Sequence, residues 1–147
     1  MEAITLKMVL DSKANKGDTI MVNEDASLLS ATRTMCDAKV GAVLVQNAKQ
    51  EPVGILSERD ILRFCAKNHL DFDRVKVGEV MTRDLIVGTL DSLVKDVQAI
   101  MTEKKFRHLP VVDGGKVVGL VSIGDLVRIQ LEETDVEVQY LRNFINL

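Results

Sequence analysis

The sequence predicts an α/β chain of the α+β type, built from two pseudo-symmetric repeats, each a small sheet with helices packed on it. Three observations predict it. The stretch Gly119-Leu120-Val121-Ser122-Ile123-Gly124-Asp125 has a near copy 65 positions earlier, Gly54-Ile55-Leu56-Ser57-Glu58-Arg59-Asp60. Upstream of the copies, Asp18, Ile20, Asp25, Leu28, Ala31, Met35 and Val45 fall on Asp84, Ile86, Asp91, Val94, Val97, Met101 and Val111 at a shift of 66. Each copy also runs a short apolar strand into Ser-x-x-Asp with apolar residues directly after it (Ile61 and Leu62; Leu126 and Val127), the pattern of a strand-to-helix junction. The change of shift from 66 to 65 places one extra residue in the first hairpin, a loop difference that a duplication tolerates well.

Taken in order, Ile4, Met8 and Val9 lie among polar residues as one face of an amphipathic stretch, and Ser12 to Asp18 reads as a loop with a mobile tip. Ile20-Met21-Val22 predicts a short strand, and Asp25 is the candidate cap of a helix with Leu28, Ala31, Met35 and Ala38 facing inward. Ala42-Val43-Leu44-Val45 is a buried strand, Asn47 to Gln50 a turn, and Pro52-Val53-Gly54-Ile55-Leu56 the strand that enters the first motif. A helix through about Asn68 ends the unit. The second unit repeats this order, and Leu70 to Val75 is too short for a free linker. The expected bounds are 9–70 and 76–130 for the repeats and 131–147 for a tail. That tail carries Val138, Leu141, Phe144 and Ile145 at helical spacing, predicting a further helix used for packing or dimer contact. Strands this short and few do not make two independent sheets, so the halves are expected to pack as one body with a pseudo-twofold axis and two clefts.

Composition narrows the function. A chain of 147 residues with 46% hydrophobic and 28% charged residues has enough apolar material for a core and is not a disordered type. A net charge of −3 without a basic run argues against general nucleic-acid or anionic-membrane binding. No apolar stretch approaches the roughly 20 residues of a membrane span, and no signal-peptide pattern opens the chain, which predicts a cytoplasmic protein. Cys36 and Cys65 lack CxxC spacing and are expected as buried free thiols. His69 and His108 have no second ligand type at metal spacing, so no metal is assigned.

The chemistry sits at the two junctions, where two readings compete. The free N–H groups and the positive dipole end of a helix start can hold a phosphate, and an acidic residue one turn inside can accept hydrogen bonds from a ribose diol. Ser-x-x-Asp ahead of an apolar run is equally an ordinary capping box. Repetition of the whole context, glycine and strand included, favours the nucleotide cradle.

With these residues in view, the chain resembles a tandem pair of CBS domains, the regulatory repeats named after cystathionine β-synthase, over roughly residues 9 to 128. Gly-h-h-Ser-x-x-Asp (h, hydrophobic) stands at the family's position in both repeats, and Arg107-His108-Leu109-Pro110-Val111-Val112-Asp113 is similar to its central strand. The chain is similar to the small stand-alone members common among prokaryotes. The resemblance implies adenosine ligands, AMP, ADP, ATP, NAD or S-adenosylmethionine, held in clefts between the repeats, with the Asp on ribose and the Ser on phosphate. Carried over by position, one cleft would hold Ser57, Arg59 and Asp60 with Ile86, Phe106, Arg107 and His108. The other would hold Ser122 and Asp125 with Ile20, Val40, Gly41, Ala42 and Asn15. Phe106 reads either as an adenine wall or as a core aromatic, and Lys104-Lys105 as a solvated face. Ile123 and Gly124 replace Glu58 and Arg59, so fewer charges are expected in the second cleft.

The resulting expectation is a non-catalytic adenine-nucleotide sensor with no catalytic cofactor, a homodimer acting on a separate regulated protein. No P-loop, GxGxxG or nucleophile with motif support offers an enzyme reading. The alternatives are a scaffold whose Ser-x-x-Asp boxes only cap helices, and an S-adenosylmethionine sensor.

Overall fold

The computed structural model of the protein describes residues 3–13, 19–67 and 71–145, and for residues 136–138, 140 and 144–145 the backbone alone. The chain divides into two compact units, Asp18–Ile86 and Met1–Gly17 with Val87–Leu147. Each carries one three-stranded sheet with helices against it.

In the unit Asp18–Ile86, strand β1 (Met21–Asn23) runs parallel to β2 (Ala42–Gln46), and β2 runs antiparallel to β3 (Pro52–Ser57). Helix α2 (Leu28–Ala38) makes the crossover between the parallel pair, as a parallel connection requires. Its Leu28, Ala31 and Met35 are buried against Val43, Val45 and Leu56 of the sheet. Each fully buried leucine there is worth roughly 2 kcal/mol relative to exposure. Helix α3 (Glu58–Lys67) follows β3 directly, and two short helical turns at Phe72–Arg74 and Val77–Glu79 close the core with Val75, Val77 and Met81.

The other unit repeats the plan. Strand β4 (Gly88–Thr89) is parallel to β5 (His108–Asp113), β5 is antiparallel to β6 (Lys116–Ser122), and α4 (Val94–Lys104) is the crossover. Helix α5 (Ile123–Ile145) leaves β6 as α3 leaves β3. The hairpin turns differ as the sequence predicts. Gln46 pairs with Pro52 and the matching Val112 with Val117, so the second hairpin is one residue shorter, and its further pair Asp113 with Lys116 tightens the turn to Gly114-Gly115. Gly114 and Gly115 both have positive φ there, the geometry of a tight hairpin turn.

What closes each core is the segment that precedes the other repeat in sequence. Leu28 N–H donates to the Val75 carbonyl, and Val77 and Gly78 N–H donate to Ala26 and Glu24. In the same way Val94 N–H donates to the Ile4 carbonyl, and Leu6 and Lys7 N–H donate to Ser92 and Leu90. Helix α1 (Leu6–Ser12) thereby buries Leu6 and Val9 in the core made by α4, β5, β6 and α5.

Several expectations are corrected. The cap of α2 is Ser27, extended at φ −68° and ψ 148°, whose Oγ accepts the Ser30 N–H at 3.0 Å; Asp25 lies earlier, in a turn where Asn23 Oδ1 accepts its N–H. Strand β1 starts after Ile20. Met8 is 37% exposed, because it is Leu6 and Val9 that face the core. Leu62 and Val127 are also exposed, since the residues of their helices that meet a core are Ile61 and Phe64, and Leu126 with Ile129. Both cysteines are free but exposed. Cys36 follows Met35 by about 100° of helix rotation, which carries it off the buried stripe. No separate tail helix forms; α5 runs unbroken from the junction to Ile145, with Leu141 exposed. The loop residues 14–18 and the side chains of Val138, Phe144 and Ile145 lie outside the described set. No helix among the described residues is long and apolar enough to cross a membrane.

Candidate functional site

Both junctions form where the sequence places them, because strand and helix share one uninterrupted backbone turn. Glu58 N–H donates to the Gly41 carbonyl at 3.0 Å as α3 begins, and Ile123 N–H donates to the Arg107 carbonyl at 2.9 Å as α5 begins. Within each sheet Ala42 pairs with Ser57, and His108 with Ser122. Gly41-Ala42 thus stands beside the first motif, and Arg107-His108 beside the second.

Each Ser-x-x-Asp closes on itself. Ser57 N–H and Oγ–H both donate to Asp60 Oδ2, at 2.9 and 3.0 Å, and Asp60 N–H donates back to Ser57 Oγ at 3.3 Å. Ser122 N–H donates to Asp125 Oδ2 at 2.9 Å, and Asp125 N–H to Ser122 Oγ at 3.1 Å. Both are therefore capping boxes. The capping fixes each carboxylate against the first turn of its helix, where the dipole favours negative charge.

The two carboxylates differ in what else holds them. Asp60, 8% exposed, accepts the Thr82 hydroxyl on Oδ1 at 3.0 Å. Asp125 accepts two cations, Lys13 Nζ on Oδ2 at 2.9 Å and Arg128 Nη2 on Oδ1 at 2.7 Å, and the same Lys13 Nζ donates to the Leu120 carbonyl at 2.8 Å. Burial pushes the Asp125 carboxyl up, but the Ser122 N–H, the Lys13 ammonium and the Arg128 guanidinium outweigh it and hold its pKa below the ordinary carboxylate value.

The motif glycines let these partners approach. A Cβ on Gly54 would lie 2.7 Å from both Met81 Sδ and the Thr82 carbonyl oxygen. On Gly119 it would lie 2.5 Å from Leu10 Cδ2. In each unit the closing segment thus lies across the glycine and sends one side chain, Thr82 or Lys13, to the motif aspartate.

The remaining predicted residues are placed as follows. Arg59 and Arg107 are exposed, His108, Ile20, Val40 and Gly41 are half-buried, Ala42 is buried and Ile86 is 38% exposed. Phe106 is half-buried against the core of its own unit, and Lys104 and Lys105 are exposed. Asn15 lies outside the described residues. Sequence reasoning missed Thr82, Lys13 and Arg128. Arg128 stood three residues after Asp125 on a helix, a legible spacing. Lys13 and Thr82 had no local signal. Lys13 and Arg128 give the second motif two cations that the replacement of Glu58 and Arg59 by Ile123 and Gly124 does not reveal.

Comparison with known proteins adds the family. The CBS domain matches at residues 15–67 and again at 77–132. The CBS domain-containing protein CBSX3, mitochondrial, of Arabidopsis thaliana is 33% identical over 98% of this chain and 73% of its own length. Among solved structures, the CBS-domain containing protein ATU1752 from Agrobacterium tumefaciens is 33% identical with a TM-score of 0.81, covering 87% of this chain and 94% of that one. The CBS domain pair of the protein MJ0100, in complex with 5′-methylthioadenosine and S-adenosyl-L-methionine, is 25% identical with a TM-score of 0.77, covering 90% of this chain and 99% of that one.

Proposed function

The chain belongs to the CBS domain family, and on that premise we propose that it is a non-catalytic regulatory module that binds an adenosine-containing ligand at its two Ser-x-x-Asp junctions. The observation that carries the reading is the twofold occurrence of a carboxylate locked by its own cap at a strand-to-helix turn. A ribose diol donates two O–H groups, and a pre-oriented carboxylate is the acceptor that receives them with least ordering cost. The helix starts at Glu58 and Ile123 add dipole charge for a phosphate. AMP, ADP, ATP and NAD are the first candidates. The solved pair in complex with 5′-methylthioadenosine and S-adenosyl-L-methionine supports an adenosine class and keeps S-adenosylmethionine among them.

A second reading is favoured by one observation: both boxes are complete without a ligand, as they would be in a scaffold that uses them only as caps. Thermal unfolding with each of AMP, ADP, ATP, NAD and S-adenosylmethionine separates the two. A ligand at one hundred times its Kd stabilises the folded state by about 2.7 kcal/mol, so at least one should raise the melting temperature by several degrees. An unchanged melting temperature with every ligand at millimolar concentration would favour the scaffold.

A further inference from the structure

We propose that Lys13 is an internal occupant of the diol-binding face of Asp125, so that a ligand engaging Asp125 must displace it and thereby loosens the end of helix α1. The inference rests on the adenosine reading and deepens it for one junction. Each carboxylate oxygen offers about two acceptor positions. At Asp125, Oδ2 already accepts the Ser122 N–H and Lys13 Nζ, while Oδ1 accepts only Arg128. A diol that donates one O–H to each oxygen finds room on Oδ1 and none on Oδ2. The Ser122 N–H is a backbone donor fixed by the cap, so Lys13 is the group that leaves.

Its departure reaches beyond the site. Lys13 directly follows α1, and its ammonium also holds the Leu120 carbonyl at the end of β6. Leu10 of the same helix lies over Gly119. Leu6 and Val9 keep the front of α1 in the core, so the change is confined to the end of the helix, residues 10–13. At the Asp60 junction the matching link, the Thr82 hydroxyl, sits alone on Oδ1 among the described residues and leaves an acceptor position free there, so a diol need not displace it. Oδ2 of Asp60 accepts the Ser57 N–H and the Ser57 hydroxyl, and that hydroxyl makes room by rotating in place. One junction thus reports occupancy to the N-terminal helix and the other does not.

The test uses 5′-methylthioadenosine, whose lack of phosphate denies a released Lys13 any new anionic partner. Titrations are run on the full chain carrying Asp60→Asn, to leave one strong site, with Lys13 intact, Lys13→Met or Lys13→Arg. Lys13→Met keeps the aliphatic stem and should bind about three- to tenfold more tightly, while Lys13→Arg should match the parent. Amide exchange of residues 10–13 should rise on saturation of the parent, and should already be high in Lys13→Met without ligand. Equal or weaker binding by Lys13→Met, or exchange that ligand leaves unchanged, would overturn the role of Lys13 while leaving the adenosine reading in place. Binding by none of the chains, the unmodified protein included, would overturn that reading and this inference with it.

Discussion

Gly54→Ala should destabilise its unit by about 2–3 kcal/mol, and Gly119→Ala by about 1 kcal/mol or less. The two glycines occupy matching places in the repeats, and a Cβ meets close atoms at both, but the atoms differ in their freedom to move. At Gly54 one obstacle is the Thr82 carbonyl oxygen, which is bridged to β3: Ile55 N–H donates to it at 2.9 Å, and Thr82 N–H donates back to the Ile55 carbonyl at 2.8 Å. That backbone cannot shift without breaking the bridge, and the Thr82 hydroxyl on Asp60 would move with it. At Gly119 all the near atoms belong to the side chain of Leu10, which is only partly buried and can change rotamer. Urea unfolding of both variants measures the difference. Equal losses would contradict it, and in a Leu10→Ala background Gly119→Ala should cost little or nothing more.

Asp60→Ala should cost about 2–3 kcal/mol of stability and abolish ligand binding at its junction, while Asp60→Asn should stay within about 1 kcal/mol of the parent in stability. The alanine leaves the Ser57 N–H and the Thr82 hydroxyl without the acceptor that both use, in a position where Asp60 itself is only 8% exposed. The amide oxygen of asparagine can still accept the Ser57 N–H, and the Thr82 hydroxyl can reverse to accept from the amide nitrogen. What asparagine lacks is the charge that strengthens hydrogen bonds to a diol, so binding should fall about tenfold to a hundredfold. Denaturation and calorimetry on the same two variants separate the capping role from the ligand role. Binding that survives the change to asparagine unaltered would leave Asp60 as a cap only.

The parts of this protein that were legible in its sequence are those written in short-range pattern. The repeat could be read from paired residues at a shift of 66 and then 65, which needs only the two halves laid side by side, and the capping geometry from Ser and Asp three apart, which depends on neighbours along one turn. The cap of α2 is not legible because Asp25 and Ser27 are both good capping residues, and only backbone geometry decides for Ser27. The end of the repeat near residue 130 does not end the helix, since neither proline nor glycine interrupts the chain between Gly124 and Ile145. The exposure of Cys36 and Cys65 followed from the angular position of single residues, which composition does not encode. Least legible were the groups on the motif aspartates. Lys13 reaches Asp125 across 112 positions and Thr82 reaches Asp60 across 22, contacts that depend on which core each closing segment enters.

In the proposed function the motif aspartates receive a ribose diol. Calorimetric titration of the unmodified chain with adenosine and with 2′,3′-dideoxyadenosine tests it most directly, since the two share the base and differ only at the hydroxyls in question. Adenosine should bind at least about tenfold more tightly, the loss expected when two hydrogen bonds to a charged acceptor are removed together. Equal affinity for the two would contradict the claim, and would leave Ser57 with Asp60 and Ser122 with Asp125 as helix caps alone.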